Sequence, residues 1–240
     1  MSLFEKEKRA KVSVCLATYN GEKYILSQIE SVLDQLSVDD ELIVSDDNSS
    51  DSTLDIIRAI NDPRIHVYSS LAGGVVSNFE NALNKLNGDV VVLCDQDDIW
   101  LPGRLDLALD GLKSSDLVMV NYQMVDSELN YIQGRLPIAS LSFIKTFYRN
   151  GYLGCCMAFR ASILPAILPF PKNVAMHDWW IALICLAKFR VAICNKVGVL
   201  YRRHSSNASV TGGVSESTFF NKIFIRISMF LALVRRLMKL

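Results

Sequence analysis

The 240-residue sequence predicts an α/β fold: a mainly parallel, Rossmann-like mixed sheet flanked by helices, followed by a C-terminal amphipathic helical tail. From residue 12 onward, short β-rich runs alternate with helical stretches. The runs VSVCLA (12–17) and DVVVLC (89–94) are apolar without alternation, as strands covered on both faces are. Strands separated by helices connect in parallel through right-handed crossovers. With 50% hydrophobic and 21% charged residues, the composition is that of a folded globular protein rather than a disordered or fibrous one.

The elements follow in order. VSVCLA precedes a helix-like segment to about Asp34, and ELIVS (41–45) precedes DDNSSDST and a helix to Ile60. RIHVY (64–68) leads through Gly73-Gly74, read as a turn, into a helix ending near Leu86. DVVVLC leads into DQDD, Pro102 opens another helix, and DLVMVNY (116–122) reads as a strand. Residues 121–218 are less regular: an extended stretch near 122–133, a helix near 139–149, GYLGCCMAFR as turn and strand, and a Pro-rich turn at 165–171. HDWWIALICLA (177–187) reads as a buried helix with a carboxylate in its first turn, where the helix dipole favours negative charge. RVAIC and KVGVLYRRH read as closing strands. One domain over residues 1–218 is expected, with halves at about 11–120 and 121–218.

Lys+Arg and Asp+Glu balance at 25 each, yet residues 1–120 hold 10 and 21 and residues 121–240 hold 15 and 4, so the halves carry −11 and +11. The zero sum argues against wholesale nucleic-acid binding, and the split suggests one acidic and one basic task. Six cysteines in apolar surroundings, without CxxC or zinc-type spacing, read as buried thiols of a reducing cytosol. The N-terminus lacks the apolar stretch of a signal peptide, and no run reaches the roughly 20 residues of a spanning helix. Residues 219–240, FFNKIFIRISMFLALVRRLMKL, hold five cations and no acid. They predict a helix lying in a membrane interface at the inner face of the cell membrane; docking on the protein's own core or on a dimer partner is the alternative.

In an open α/β sheet, ligands bind beyond the carboxyl ends of the strands. Three polar clusters fall there: Thr18-Tyr19-Asn20-Gly21, Asp46-Asp47-Asn48-Ser49-Ser50-Asp51 and Asp95-Gln96-Asp97-Asp98. If extended geometry persists past Cys94, Asp95 and Asp97 face one spot while Gln96 and Asp98 face away. Such a carboxylate pair suits Mg²⁺ or Mn²⁺; a solvated turn capping the next helix is the alternative. Of Asp46 and Asp47 only one can address a ligand, and Asp51 or Ser50 caps the following helix. A carboxylate there could accept the N3–H of a pyrimidine, with Tyr19 stacked on the base or simply packed. There is no GxGxxG after the first strand and no GxxxxGK[ST], which removes the main support for dinucleotide and P-loop readings.

VSVCLATYNGEKYILSQIESVLDQ, ELIVSDDNSSDST, GDVVVLCDQDDIWLPGRL and HDWW, in this order, resemble the inverting family 2 glycosyltransferases of the GT-A fold. The DQDDIW and HDWW forms are similar to its bacterial rhamnosyltransferase-like branch, and the resemblance covers about residues 11–207. It implies a nucleotide-sugar half (11–120), an acceptor half (121–218), and a peripheral cytoplasmic enzyme of cell-surface polysaccharide synthesis, O-antigen or capsule. Asp47 would bind the nucleobase, with Tyr19, Ala17 and Thr18 lining its pocket. Asp97 would be the direct ligand of Mn²⁺ or Mg²⁺, Asp95 nearer the sugar or ribose. Asp178 would be the catalytic base, with Trp179 and Trp180 shaping the acceptor side or packing. His204 and Arg202 would lie near the diphosphate. The donor would be a UDP- or dTDP-sugar and the acceptor a glycan or lipid-linked oligosaccharide. A nucleotidyltransferase, or a catalytically silent protein of the same fold, are the other classes these residues leave open.

Overall fold

The computed structural model describes residues 9–70, 73–133, 139–172, 174–204 and 219–240. The first half supplies four strands, β1 (Val12–Thr18), β2 (Glu41–Asp46), β3 (Ile65–Ser69) and β4 (Val90–Asp95), paired in parallel. They are joined by α1 (Ile25–Leu33), α2 (Thr53–Ile60) and α3 (Val75–Leu83). Every residue of β1 and β2 is buried, which is why their sequences show no polar alternation. Helix α1 buries Ile25, Gln28, Ile29 and Val32, the three- and four-residue spacing of a single face.

The chain continues with β5 (Ile99–Trp100), α4 (Arg104–Leu112), β6 (Leu117–Val125), α5 (Phe143–Tyr148), β7 (Met157–Arg160), α6 (Leu164–Ile167), α7 (His177–Lys188), β8 (Val191–Arg202) and α8 (Phe219–Leu237). The eight strands among the described residues form one mixed sheet in the order β3-β2-β1-β4-β7-β6-β8-β5. Strands β4 and β6 do not lie side by side in this mixed sheet. Strand β7 inserts between them, antiparallel to both. Its buried run Met157-Ala158-Phe159 could fill the central slot, whereas the local pattern announces a strand without naming its neighbours.

RVAIC and KVGVLYRRH form one strand rather than two. Along β8 the partners step from Val120↔Cys194 to Asn121↔Val197, and the irregularity at Asn195-Lys196 bends the strand without ending it. The expected Pro-rich turn contains α6, with Pro165 in its first turn, where a missing N–H is tolerated. All six cysteines are free, and five are buried. The tail forms α8, which buries Met229 and Leu233 against the core. Arg236 in α8 donates to the carbonyls of Ala166 (2.9 Å), Leu168 (2.8 Å) and Pro169 (2.5 Å), so the helix docks on its own chain. Among the described residues no helix is long and apolar enough to cross a membrane.

Phe159, fully buried, is paired to Val91 of β4 and Leu117 of β6. Phe159→Ala should lower stability by about 3–5 kcal/mol in urea denaturation. A loss below about 1 kcal/mol would mean that β7 is not a central strand.

Candidate active site

The carboxyl ends of β2, β1 and β4, with the segment entering β7, open on one cleft of about 1030 Å³. Ala17, Thr18, Tyr19, Asp47, Asp95, Asp97 and Asp178 all line it, so residues far apart in sequence share one wall.

At the β2 end, adjacent acids take opposite tasks. Asp46 points inward, where Oδ1 accepts from Thr18 Oγ1 (2.9 Å) and Ser49 Oγ (2.6 Å). Asp47 faces the cleft, and its Oδ2 accepts from the backbone N–H of Gly74 (2.6 Å). Gly74 precedes α3 with φ 88°, a left-side conformation that favours glycine, so Gly73-Gly74 serves as more than a spacer between elements. The Asp47 N–H and the Asn78 amide both donate to the Thr18 carbonyl, at 2.9 and 3.0 Å, tying β1, β2 and α3 together beneath the cleft. Tyr19 is 57% exposed at its rim, open for stacking. Asp51, as expected, satisfies the start of α2: Oδ1 accepts from Thr53 N at 3.0 Å.

After β4 the chain turns at Gln96-Asp97 instead of remaining extended, which corrects the expected alternation. Asp95, Gln96 and Asp97 all line the cleft, and Asp98 alone turns inward. Gln96 grips the Tyr19 backbone from both ends of its amide: Oε1 accepts from Tyr19 N (2.8 Å) and Nε2 donates to Tyr19 O (3.0 Å). Asp97 Oδ2 lies 2.8 Å from His204 Nε2. Asp98 Oδ1 accepts from the Arg202 N–H at 2.9 Å. Burial, then the neighbouring carboxylates of Asp97 and Asp178, push the Asp95 pKa up. Burial, then Asp97 and Asp95, also push that of Asp98 up.

Arg202 departs from its expected place. Its guanidinium is buried, donates to Asp97 O and Ser127 O (both 2.7 Å), and lies 4.5 Å from the Tyr24 ring centre. It is not among the cleft-lining residues, and its described contacts hold the Asp97 turn from behind. Trp179 and Trp180 pack rather than face the cleft: their ring N–H groups donate to Thr146 O (2.8 Å) and Ile167 O (2.9 Å). Residues 205–218, which follow His204, lie outside the described residues.

Asp178 opens α7 and is 7% exposed. Asn150 Nδ2 donates to its Oδ1 (3.2 Å), and the N–H groups of Trp179 and Gly154 reach it as well. Burial outweighs these donors and raises its pKa to about 7. Beside it His177, stacked on Phe79 with ring centres 4.0 Å apart, also lines the cleft. Neither ring nitrogen has a hydrogen-bond partner among the described residues, and burial lowers its pKa to about 3, so the ring is neutral. A Cβ on Gly154 would come within 2.7 Å of His177 Nε2, which fixes glycine at the position that feeds an N–H to Asp178.

Asn150, Gly154, His177, Asn78 and Gln96 are the cleft residues that the sequence patterns do not single out. His177 and Gln96 directly adjoin residues that they do, but no local pattern shows Asn150 or Gly154 reaching Asp178.

Residues 13–168 match the family described as Glycosyl transferase family 2. The chain is 27% identical over 212 residues to the dTDP-rhamnosyl transferase RfbG of Shigella flexneri, spanning 80% of this chain and 72% of that one. It is 26% identical over 205 residues to the UDP-Glc:alpha-D-GlcNAc-diphosphoundecaprenol beta-1,3-glucosyltransferase WfgD of Escherichia coli, spanning 83% and 79%. Among solved structures it superimposes on S. aureus TarS 1-349 in complex with UDP-GlcNAc, with a TM-score of 0.70 at 22% identity, over 92% of this chain and 66% of that one. On S. aureus TarS 1-349 alone the TM-score is 0.66 at 23% identity, over 80% and 60%. The likeness to TarS is one of fold. With the family match spanning most of the chain, and with four aspartates from the ends of β2 and β4 and the start of α7 meeting in one cleft, the chain belongs to glycosyl transferase family 2 and has its GT-A fold.

Proposed function

We propose that this protein transfers a sugar from a UDP- or dTDP-sugar to a hydroxyl of a lipid-linked glycan, with inversion, in the assembly of a cell-surface polysaccharide. The observation that carries the reading is the order of groups along the sheet edge: Asp47 after β2, Asp95 and Asp97 after β4, and Asp178 against the entrance to β7. That order matches a donor laid out as base, diphosphate and sugar, with the acceptor at the far end. RfbG and WfgD, whose names specify a dTDP-rhamnosyl and a UDP-glucosyl transferase, support the donor class. WfgD's name also specifies a diphosphoundecaprenol-linked acceptor.

Asp47 accepts the N3–H of the pyrimidine while Gly74 fixes its orientation, and Tyr19 stacks on the ring. A carboxylate to N3–H suits uracil and thymine alike. Asp97 and His204 fit a divalent cation, because 2.8 Å is close to the roughly 3 Å between neighbouring ligands at about 2.1 Å from an octahedral ion. The set Asp95, Asp98 and Cys155, whose ligand atoms lie within 4.8 Å of one another, fits less well: Asp98 does not line the cleft, its Oδ1 accepts from Arg202 N while Oδ2 has no partner among the described residues, and the hydrogen bond with Cys156 together with burial keeps the Cys155 thiol protonated. Mn²⁺ or Mg²⁺ at Asp97 and His204 would neutralise charge on the departing diphosphate. Asp178 accepts the proton of the acceptor hydroxyl as that oxygen bonds to the anomeric carbon and the diphosphate departs from the opposite face. A carboxyl with a pKa near 7 is suited to this exchange at neutral pH. Neutral His177 offers the sugar an uncharged hydrogen-bonding edge.

Asp178→Asn should reduce turnover by about 10²–10⁴ while donor binding is kept, and near-normal turnover would remove Asp178 from this role. The same substitution tests the burial of its charge. A folded-state pKa near 7, against roughly 4 unfolded, means that the folded protein keeps a proton the unfolded chain loses. Its stability contribution therefore declines as pH rises from about 4 to about 7 and stays low above. Asp178→Asn removes that penalty, so its thermal midpoint at pH 8 should exceed that of the parent protein; an equal or lower midpoint would contradict the buried charge.

Asp97→Ala should abolish the Mn²⁺-dependent part of UDP- or dTDP-sugar binding in calorimetry, and His204→Ala should weaken it. Equal donor affinity with and without Mn²⁺ would refute the metal assignment. Release of nucleoside diphosphate is expected on turnover; release of pyrophosphate would identify a nucleotidyltransferase instead.

A further inference from the structure

Helix α8 buries few of its own apolar side chains. Met229 and Leu233 meet the core, while Ile223, Phe224, Ile227, Phe230, Leu231, Val234 and Met238 are exposed. At about 100° per residue these seven occupy an arc of about 120° on the side away from Met229 and Leu233. Arg235 and Lys239, both exposed, lie just beyond one edge of that arc.

Helix α5 extends the same surface. Phe147 of α5 meets Phe230 of α8 edge to face, with ring centres 6.3 Å apart, and Arg226 Nη2 donates to Tyr148 O at 2.9 Å. Alongside, Leu141 (59%), Ile144 (68%) and Tyr148 (63%) are exposed, with Lys145 and Arg149 exposed among them. The sequence holds no Asp or Glu between Glu128 and Asp178, and from 129 to 240 it has only Asp178, in the cleft, and Glu216.

We infer that α5 and α8 together form one docking face for an anionic lipid bilayer, rather than the tail acting as a separate anchor. Two neighbouring helices with solvent-facing aromatic and aliphatic side chains, cations at the edges and no carboxylate on either match an interface whose headgroups are negative. A second copy meeting this face with its own would bring like charges together. Placement adds a consequence. Asn150, two residues beyond α5, donates to Asp178, and Thr146 within α5 accepts from Trp179 of α7. The helix that presents Ile144 to the bilayer is thus braced against the helix that carries the proposed base, which places the membrane contact next to the acceptor end of the cleft.

Flotation of the full chain with vesicles of phosphatidylglycerol and phosphatidylcholine, and with vesicles of phosphatidylcholine alone, tests this. Binding is expected to the first and to be much weaker to the second. Ile144→Glu in α5 and Phe224→Glu in α8, each alone, should lower the partition constant by at least about tenfold. Both residues are exposed, so the thermal midpoint and the hydrolysis of soluble donor should be unchanged, which separates this inference from the catalytic reading. Binding that survives Ile144→Glu but not Phe224→Glu would overturn the shared face in favour of the tail alone. Failure to float would overturn the membrane assignment, as would a sedimentation-defined dimer that Phe224→Glu dissociates.

Discussion

The turn after β4 is the joint on which the cleft depends. Four consecutive side chains leave it toward different neighbours: Asp95 to the cleft floor, Gln96 to both backbone groups of Tyr19, Asp97 to His204 and Asp98 to the Arg202 N–H. The carboxyl ends of β1, β4 and β8 are thereby fixed together although they come from residues near 18, 97 and 203. Arg202 reinforces the joint by donating to the Asp97 carbonyl. Preorganisation of this kind matters in a site whose work is positioning and charge stabilisation, because little reorganisation is then left for the reaction itself.

The same arrangement gathers carboxylates where water is scarce. Asp95, Asp98 and Asp178 all have raised pKa values, with burial the largest cause. Carboxylates gathered in this way favour a cation or a hydrogen-bonding ligand between them. The acidic half of the chain is not wholly devoted to the cleft, however. At the opposite edge of the sheet Asp40 accepts from Val12 N (2.8 Å) and Glu41 from Asn87 N (2.6 Å), securing the starts of the strands. The basic half divides as well: Arg202 and Arg236 are spent on carbonyls inside the fold, whereas Lys145, Arg149, Arg235 and Lys239 are exposed on or beside α5 and α8.

Local patterns reveal some of this and conceal the rest. The unbroken apolar runs of β1, β2 and β4 follow directly from burial on both faces, and the opposite tasks of Asp46 and Asp47 follow from the period of a strand. Asp178 at the start of α7 was visible because a carboxylate in a first turn interrupts an otherwise apolar helix. The same strand rule failed at Gln96, where the chain had already turned. Position alone could not show that Trp179 and Trp180 pack, or that Arg202 turns inward, since both depend on tertiary neighbours. The slot occupied by β7, and the reach of Asn150 to Asp178 across 28 residues, are likewise long-range facts without a local periodic signal.

The central claim is that one cleft seats the base at Asp47, a cation at Asp97 and His204, and the reacting sugar before Asp178. Anomalous diffraction from crystals soaked with Mn²⁺ and the UDP- or dTDP-sugar that binds tests it most directly. A single manganese peak is expected within bonding distance of Asp97 Oδ2 and His204 Nε2, with the pyrimidine N3 against Asp47. Manganese seated at Asp95, Asp98 and Cys155, or a pyrimidine bound away from Asp47, would contradict it.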